Sequence, residues 1–238
     1  MYNYFEEGNI MKTLFIILCL LIMSIFIYFE KKEKYILAVA LKGLASLMFV
    51  LLGYWCSRVT GNNDFNKMVK IGLILGLIAD IMLNLRFVFK KKGKIVFLVG
   101  ILVFLSGHIL YLCALIPTVK NILLPLIIGV VLTAIIIMWI FTKIEAQIAF
   151  KIFGVFYIGA IVIMNCFAIT NLIQDPSNLR YIIFVIGAIS FLISDIVLIL
   201  NTFGKETKFS LRITNLSLYY IGQILIAISI MFPILYIA

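Results

Sequence analysis

Charge is scarce in this chain. Only 13% of its 238 residues are Asp, Glu, Lys or Arg, about half the share of a typical soluble domain. Hydrophobic residues make up 65% and the mean hydropathy is +1.22. Together these exclude a water-soluble fold, a disordered chain and a collagen-like repeat. Cysteine is also sparse. The four (Cys19, Cys56, Cys113 and Cys166) lie in or beside apolar runs without CxxC spacing, so they read as small membrane hydrophobes rather than a disulfide framework. There is one histidine, and no zinc-ligand spacing joins it to the aspartates. No metal or cofactor is therefore expected; the alternative is a site of two Asp and the one His. Proline is rare too, with Pro117 and Pro176 between apolar runs, Pro125 near the start of the fifth run and Pro233 near the end, which disfavours the broken helices of many transporters.

What the chain has in abundance is apolar runs of membrane length. A span needs about 20 such residues, and eight runs qualify, at 13–29, 35–56, 67–88, 94–116, 121–142, 149–173, 179–202 and 211–237. The sequence predicts an all-α polytopic membrane protein, a single transmembrane domain. The first run ends in Glu30-Lys31-Lys32-Glu33-Lys34 with no small-residue cleavage site, so a retained span is expected. The excess of 20 basic over 10 acidic residues lies mostly in the loops. It reads as topology and contact with anionic membrane lipids, not as a nucleic-acid groove. The loops after spans 1, 3, 5 and 7 hold 13 Lys and Arg against 6 on the other side, which predicts both termini outside the cytoplasm, in the cell membrane.

An internal repeat is visible. LIADIMLNL at 77–85 and LISDIVLIL at 192–200 agree at six of nine positions, and GHIL at 107–110 matches GQIL at 222–225. Both matches have an offset of 115, so two parallel four-helix halves are expected, 13–117 and 118–238. A pseudo-two-fold axis along the membrane normal would then bring Asp80 and Asp195 face to face.

Ionisable residues within spans are costly and mark function by default. Lys42, Asp80, His108 and Asp195 fall inside the runs, with Asn84, Tyr111, Asn165, Ser194, Tyr219, Tyr220 and Gln223 as uncharged company. Helical spacing puts Gly72, Gly76, Asp80 and Asn84 on one face, and Gly100, Phe104, His108 and Tyr111 on another. Each stripe must point into the bundle, because lipid satisfies no polar group. Plainer roles compete: packing for His108, interhelical hydrogen bonding for Asn165, and a lysine at position 42 that snorkels to the interface. Two mid-membrane carboxylates are harder to explain as structure alone.

These blocks resemble the YhhN family of integral membrane proteins, whose characterised members are lysoplasmalogenases. GAISFLISD at 187–195 is similar to the family's Gly-Ala-x-x-Phe-x-x-Ser-Asp, and GILVFLSGHILY at 100–111 to its Gly-x-x-x-Phe-x-x-x-His-x-x-Tyr. Asp80-Ile81-Met82-Leu83 resembles the Gly-Asp-x-x-Leu-Met element with Ala79 in place of Gly. Lys42 matches a Lys-Pro element with Gly43 in place of Pro, and Tyr220-x-x-Gln223 resembles the final Tyr-x-x-Gln. The resemblance implies hydrolysis of the vinyl ether bond of a lysoplasmalogen, a lysophospholipid, to a fatty aldehyde and a glycerophospho-headgroup. Such chemistry needs a general acid, an anion to stabilise an oxocarbenium ion and a base for water. Asp80 and Asp195 are the expected catalytic pair. Lys42 and His108 are the candidates for keeping one of them ionised, and Asn84, Tyr111, Asn165, Ser194, Tyr220 and Gln223 are the supporting residues. The competing function is a proton-coupled transporter of a small or amphiphilic solute; a structural or sensory protein is the third. The sequence names no protein partner.

Overall fold

The structure, a computed structural model, describes residues 2–89 and 91–233, with side chains from residue 10 onward. Eight helices follow one another: α1 (Tyr2–Lys31), α2 (Tyr35–Thr60), α3 (Asp64–Val88), α4 (Gly93–Leu115), α5 (Leu123–Phe141), α6 (Ile148–Gln174), α7 (Leu179–Phe203) and α8 (Phe209–Ser229). Each is long and apolar enough to cross a membrane, so the chain is a polytopic α-helical membrane protein. The helix ends lie within a few residues of those expected, with two exceptions. Helix α1 begins well before the apolar run, because the polar stretch preceding Ile10 continues the helix. Helix α8 stops at Ser229 rather than 237, since Pro233 offers no N–H and disfavours helix in the residue before it. Residues 234–237 of the expected span lie outside the described residues.

The helices form hairpins. The tightest packing is within α3–α4 and α7–α8, with α4 also against α6 and α8 against α2. Helix α5 packs on α6 and turns Leu123, Ile127 and Met138 outward, each 60% or more exposed, as a lipid-facing helix must. Glycine permits the closest crossings. A Cβ at Gly222 would lie 2.9 Å from the Gly187 carbonyl oxygen, and one at Gly107 would lie 3.3 Å from that of Gly72. Positions 187 and 222 are positions 72 and 107 shifted by 115, so these two crossings follow the spacing of the sequence repeat.

Side-chain caps form the turns of the opposite face. Asn63 accepts the Asn66 N–H at 2.8 Å to open α3, and Asn178 accepts the Arg180 N–H at 3.1 Å to open α7. The loops after α1, α3, α5 and α7 share the other face. There Arg212 at the start of α8 meets Glu30 at the end of α1, and the Glu145 N–H after α5 donates to the Phe203 carbonyl at the end of α7 at 2.8 Å. This face is called the basic-loop face below.

Candidate active site

Helix α2 carries Lys42 and, one turn later, Ser46 on the same face; both are buried. Across the interface, α3 presents Asp80. Lys42 Nζ lies 2.9 Å from Asp80 Oδ1, while Asp80 Oδ2 accepts from Ser46 Oγ at 2.5 Å and from Tyr219 Oη at 2.6 Å. An ammonium and two hydroxyl donors thus surround a carboxylate that is 1% exposed. An ionised carboxylate is tolerated at such depth only when paired and hydrogen-bonded, and this one is both. Lys42 does not snorkel, because Asp80 holds its amine inside the bundle.

Helix α8 extends this network. Tyr220 Oη lies 3.2 Å from Ser46 Oγ and donates to the Lys42 carbonyl at 3.3 Å. Gln223 Nε2 donates to Tyr219 Oη at 3.4 Å, and Gln223 Oε1 accepts from Tyr111 Oη at 3.0 Å. Three helices (α4, α8 and α3) therefore supply one hydrogen-bond chain from Tyr111 to Asp80, where Lys42 and Ser46 of α2 join it.

Asp195 on α7 stands in different company. It accepts a hydrogen bond from the Tyr157 hydroxyl of α6, and among the described residues no cation lies within ion-pair distance of it. Tyr157 is Lys42 shifted by 115, as Asp195 is Asp80 so shifted. The two equivalent positions thus both serve an aspartate on the next helix, once as a cation and once as a phenol.

Asp80 and Asp195 line one cavity. Its walls include Lys42, Tyr157, Tyr219 and Arg212, and its volume of about 30 Å³ is room for a water or two. Five of its wall residues (Leu83, Phe97, Phe104, Tyr157 and Leu198) also wall a second, almost wholly apolar chamber of about 50 Å³ between α4, α5, α6 and α7. Two carboxyl groups, a phenol at each and space for water can support proton transfer to an amphiphile, and the adjoining apolar slot, itself only a few waters in size, takes an alkyl chain as its walls move apart. Among the described residues, no three His, Cys, Asp or Glu side chains converge as a metal-ligand set.

Other expected site residues fall elsewhere. His108 is boxed by the rings of Phe104, Tyr111, Tyr157 and Phe191, and among the described residues neither ring nitrogen has a hydrogen-bond partner. It is not the cation that holds a carboxylate; among the described residues Lys42 alone fills that position. Asn165 donates to the carbonyls of Ile161 and Ala188 and ties α6 to α7. Ser194 pairs with Asn215, 2.8 Å from Oγ to Nδ2, and ties α7 to α8. Asn84 donates to Glu30 at 2.9 Å, below Asp80 toward the basic-loop face.

Sequence reasoning missed Ser46 and Tyr157 as partners of the carboxylates. Signals for both existed: Ser46 is one turn from Lys42, and Tyr157 occupies the repeat position of Lys42. It also assigned Arg86 and Arg212 to topology, although both line the cavity. Arg180, counted on the opposite face, is fully buried. Setting these three aside leaves 11 basic residues against 5, so the bias persists.

The model of the YhhN family matches residues 37–230. The chain belongs to the YhhN family. Comparison with the curated proteins and with solved structures gives no match. The matched region starts at the beginning of α2 and ends just after α8, so this YhhN-family chain draws Lys42, Asp80, Tyr157, Asp195 and Tyr219 all from the family region, and Glu30 of α1 from outside it.

Proposed function

We propose that this protein hydrolyses the vinyl ether bond of lysoplasmalogens within the membrane, with Asp195 as the proton donor and Asp80 as the stabilising anion. Family membership is consistent with a lysoplasmalogenase-like role. The observation that carries the proposal is the unlike environment of two carboxyl groups on one cavity, one paired with an ammonium and one with a phenol only. Unlike environments are how two carboxyls divide acid and base work.

In this mechanism Asp195 gives its proton to the β-carbon of the alkenyl chain. The double-bond electrons form the new C–H bond and leave an oxocarbenium ion at the ether carbon, stabilised by the Asp80 carboxylate. Water adds to that carbon and returns a proton to Asp195, giving a hemiacetal. Its collapse breaks the bond to the glycerol oxygen, which takes up the hydroxyl proton, and releases aldehyde and glycerophospho-alcohol. One water is consumed and the acid is regenerated. Continuous helices α2–α8 favour this reading over a transporter.

The test is to incubate the purified protein with 1-alkenyl and 1-acyl lysophospholipids. Free aldehyde from the alkenyl lipid alone is expected; a folded protein that releases none would end the hydrolase proposal. We further propose, from the basic-residue bias, that the basic-loop face is cytoplasmic and that the halves 13–117 and 118–238 are parallel repeats. Cysteines introduced at Lys91 and Lys205 should react with an impermeant reagent only from the cytoplasmic side, and labelling from outside would reverse the orientation.

A further inference from the structure

Arg86 is the cation in this cavity that no described residue pairs with. Lys42 is paired with Asp80, and Arg212 holds Glu30 through Nε–Oε1 at 2.8 Å and Nη2–Oε2 at 3.0 Å. The Arg86 side chain makes no hydrogen bond or ion pair with any described residue. Its guanidinium lies 4.4 Å from the Phe97 ring centroid and 4.6 Å from that of Phe87, and its Nε is buried without a partner. Arg86 as a whole is half-buried, but a guanidinium that borders the cavity without a paired anion forgoes its charge-assisted hydrogen bonds. Stacking on two rings holds the planar group but leaves its N–H fork unengaged, and that fork matches phosphate oxygens in pairs.

The surroundings restrict the anion. Arg212 stands on the same cavity, and its Nη1 makes only a 3.4 Å contact to Asn215, so it has donor capacity left. The two guanidiniums lie on the basic-loop side of the carboxyl pair: Arg86 ends α3 and Arg212 opens α8, while Asp80 and Asp195 are about two turns deeper. Beside the carboxyls opens the apolar chamber, walled by Phe, Ile and Leu side chains. Phe97, which stacks on Arg86, is itself a wall of the chamber, and the chamber runs from the basic-loop ends of α5, α6 and α7 to Tyr157, so the anion site opens onto the slot and the acid pair lies at its inner end.

We propose that Arg86, assisted by Arg212, binds the phosphate of a single-chain phospholipid whose tail enters the apolar chamber. This rests on the hydrolase proposal for the site and adds that the phosphate is the recognised part of the headgroup. The phosphate supplies the missing counter-ion, and the distance of the guanidiniums from the acids sets which bond reaches Asp195.

The experiment measures binding, not turnover, on the full chain in detergent. The probes are 1-O-hexadecyl lysophosphocholine, which has no vinyl ether, 1-O-hexadecylglycerol, which has no phosphate, and inorganic phosphate. The wild type should bind the phospholipid at least about tenfold tighter than the alkylglycerol, as expected for hydrogen bonds to a charged group. Arg86→Gln should lose that preference and keep its affinity for the alkylglycerol, which also reports that the variant folds. Arg86→Lys should recover part of it.

Equal affinity of the wild type for the two lipids overturns the proposal whether or not any variant folds. So does an Arg86→Gln protein that retains the preference. Inorganic phosphate that binds as tightly as the phospholipid would also overturn it, because the chain would then add nothing. Failure of the hydrolase proposal is separable: phosphate-dependent binding by a protein that releases no aldehyde supports the subsite and rejects the reaction. Aldehyde release with an unchanged KM in Arg86→Gln rejects the subsite and keeps the reaction.

Discussion

Asp195→Asn is expected to lower turnover of an alkenyl lysophospholipid by about 10²–10⁴-fold, the usual cost of losing a general acid. The amide keeps the size of the carboxyl and still accepts from Tyr157, so the bundle should assemble with little change in thermal stability. The effect should fall on kcat, because the lost interaction belongs to the transition state and not to lipid binding. Asp80→Asn should fall within the same range for a different reason. It removes the anion opposite the developing cation while Ser46 and Tyr219 keep a carbonyl to donate to. Tyr157→Phe should cost less than either, since it removes a partner of the acid and not the acid. Near-wild-type turnover in either Asn variant, with folding shown by an unchanged size-exclusion profile, would falsify the two-carboxylate mechanism.

Lys42→Met should cost about 3–5 kcal/mol of stability, the penalty for breaking a buried pair and leaving one charge behind. Lys42 and Asp80 are 3% and 1% exposed, so water offers no relief to the remaining carboxylate. Combining Lys42→Met with Asp80→Asn should recover most of that loss, because both charges are then gone and the hydroxyls of Ser46 and Tyr219 still find an acceptor. Thermal unfolding of the two single variants and the double variant checks this. A double variant no more stable than Lys42→Met alone would mean that the lysine packs rather than pairs. Turnover should stay lowered by about 10²–10⁴-fold in both variants that carry Asp80→Asn, which separates the structural part of the pair from its chemical part.

Much of the candidate site is legible in the sequence because membranes make polar residues conspicuous. Asp80 and Asp195 stand out in their apolar runs, and water-free surroundings force them inward. The offset of 115 even anticipates that Lys42 and Tyr157 occupy equivalent positions beside them. His108 stands out just as clearly, yet its ring packs among four others without a hydrogen bond. A conspicuous residue and a convergent one look alike in one dimension, because the periodicity of a helix says which face a side chain takes but not which neighbour it meets.

The two arginines make the same point in reverse. Arg86 and Arg212 sit at span ends, where positive residues ordinarily mark the cytoplasmic side, and nothing in the local sequence separates them from Lys91 or Lys205. Whether such a side chain turns out to the interface or inward along Phe97 depends on the rotation of α3 against α4 and of α8 against α1. The eight spans, their ends to within a few residues for most and the depth of each polar group are determined by the sequence alone, since the hydrocarbon of a bilayer sorts residues by polarity one at a time. The pairing of Lys42 with Asp80, the separate phenol on Asp195, the burial of Glu30 under Arg212 and the stacking of Arg86 on Phe97 with no described residue to pair it were decided only by the tertiary structure. Those contacts join residues up to 182 positions apart, and they are set by how close glycine-lined helices approach one another, which no single helix encodes.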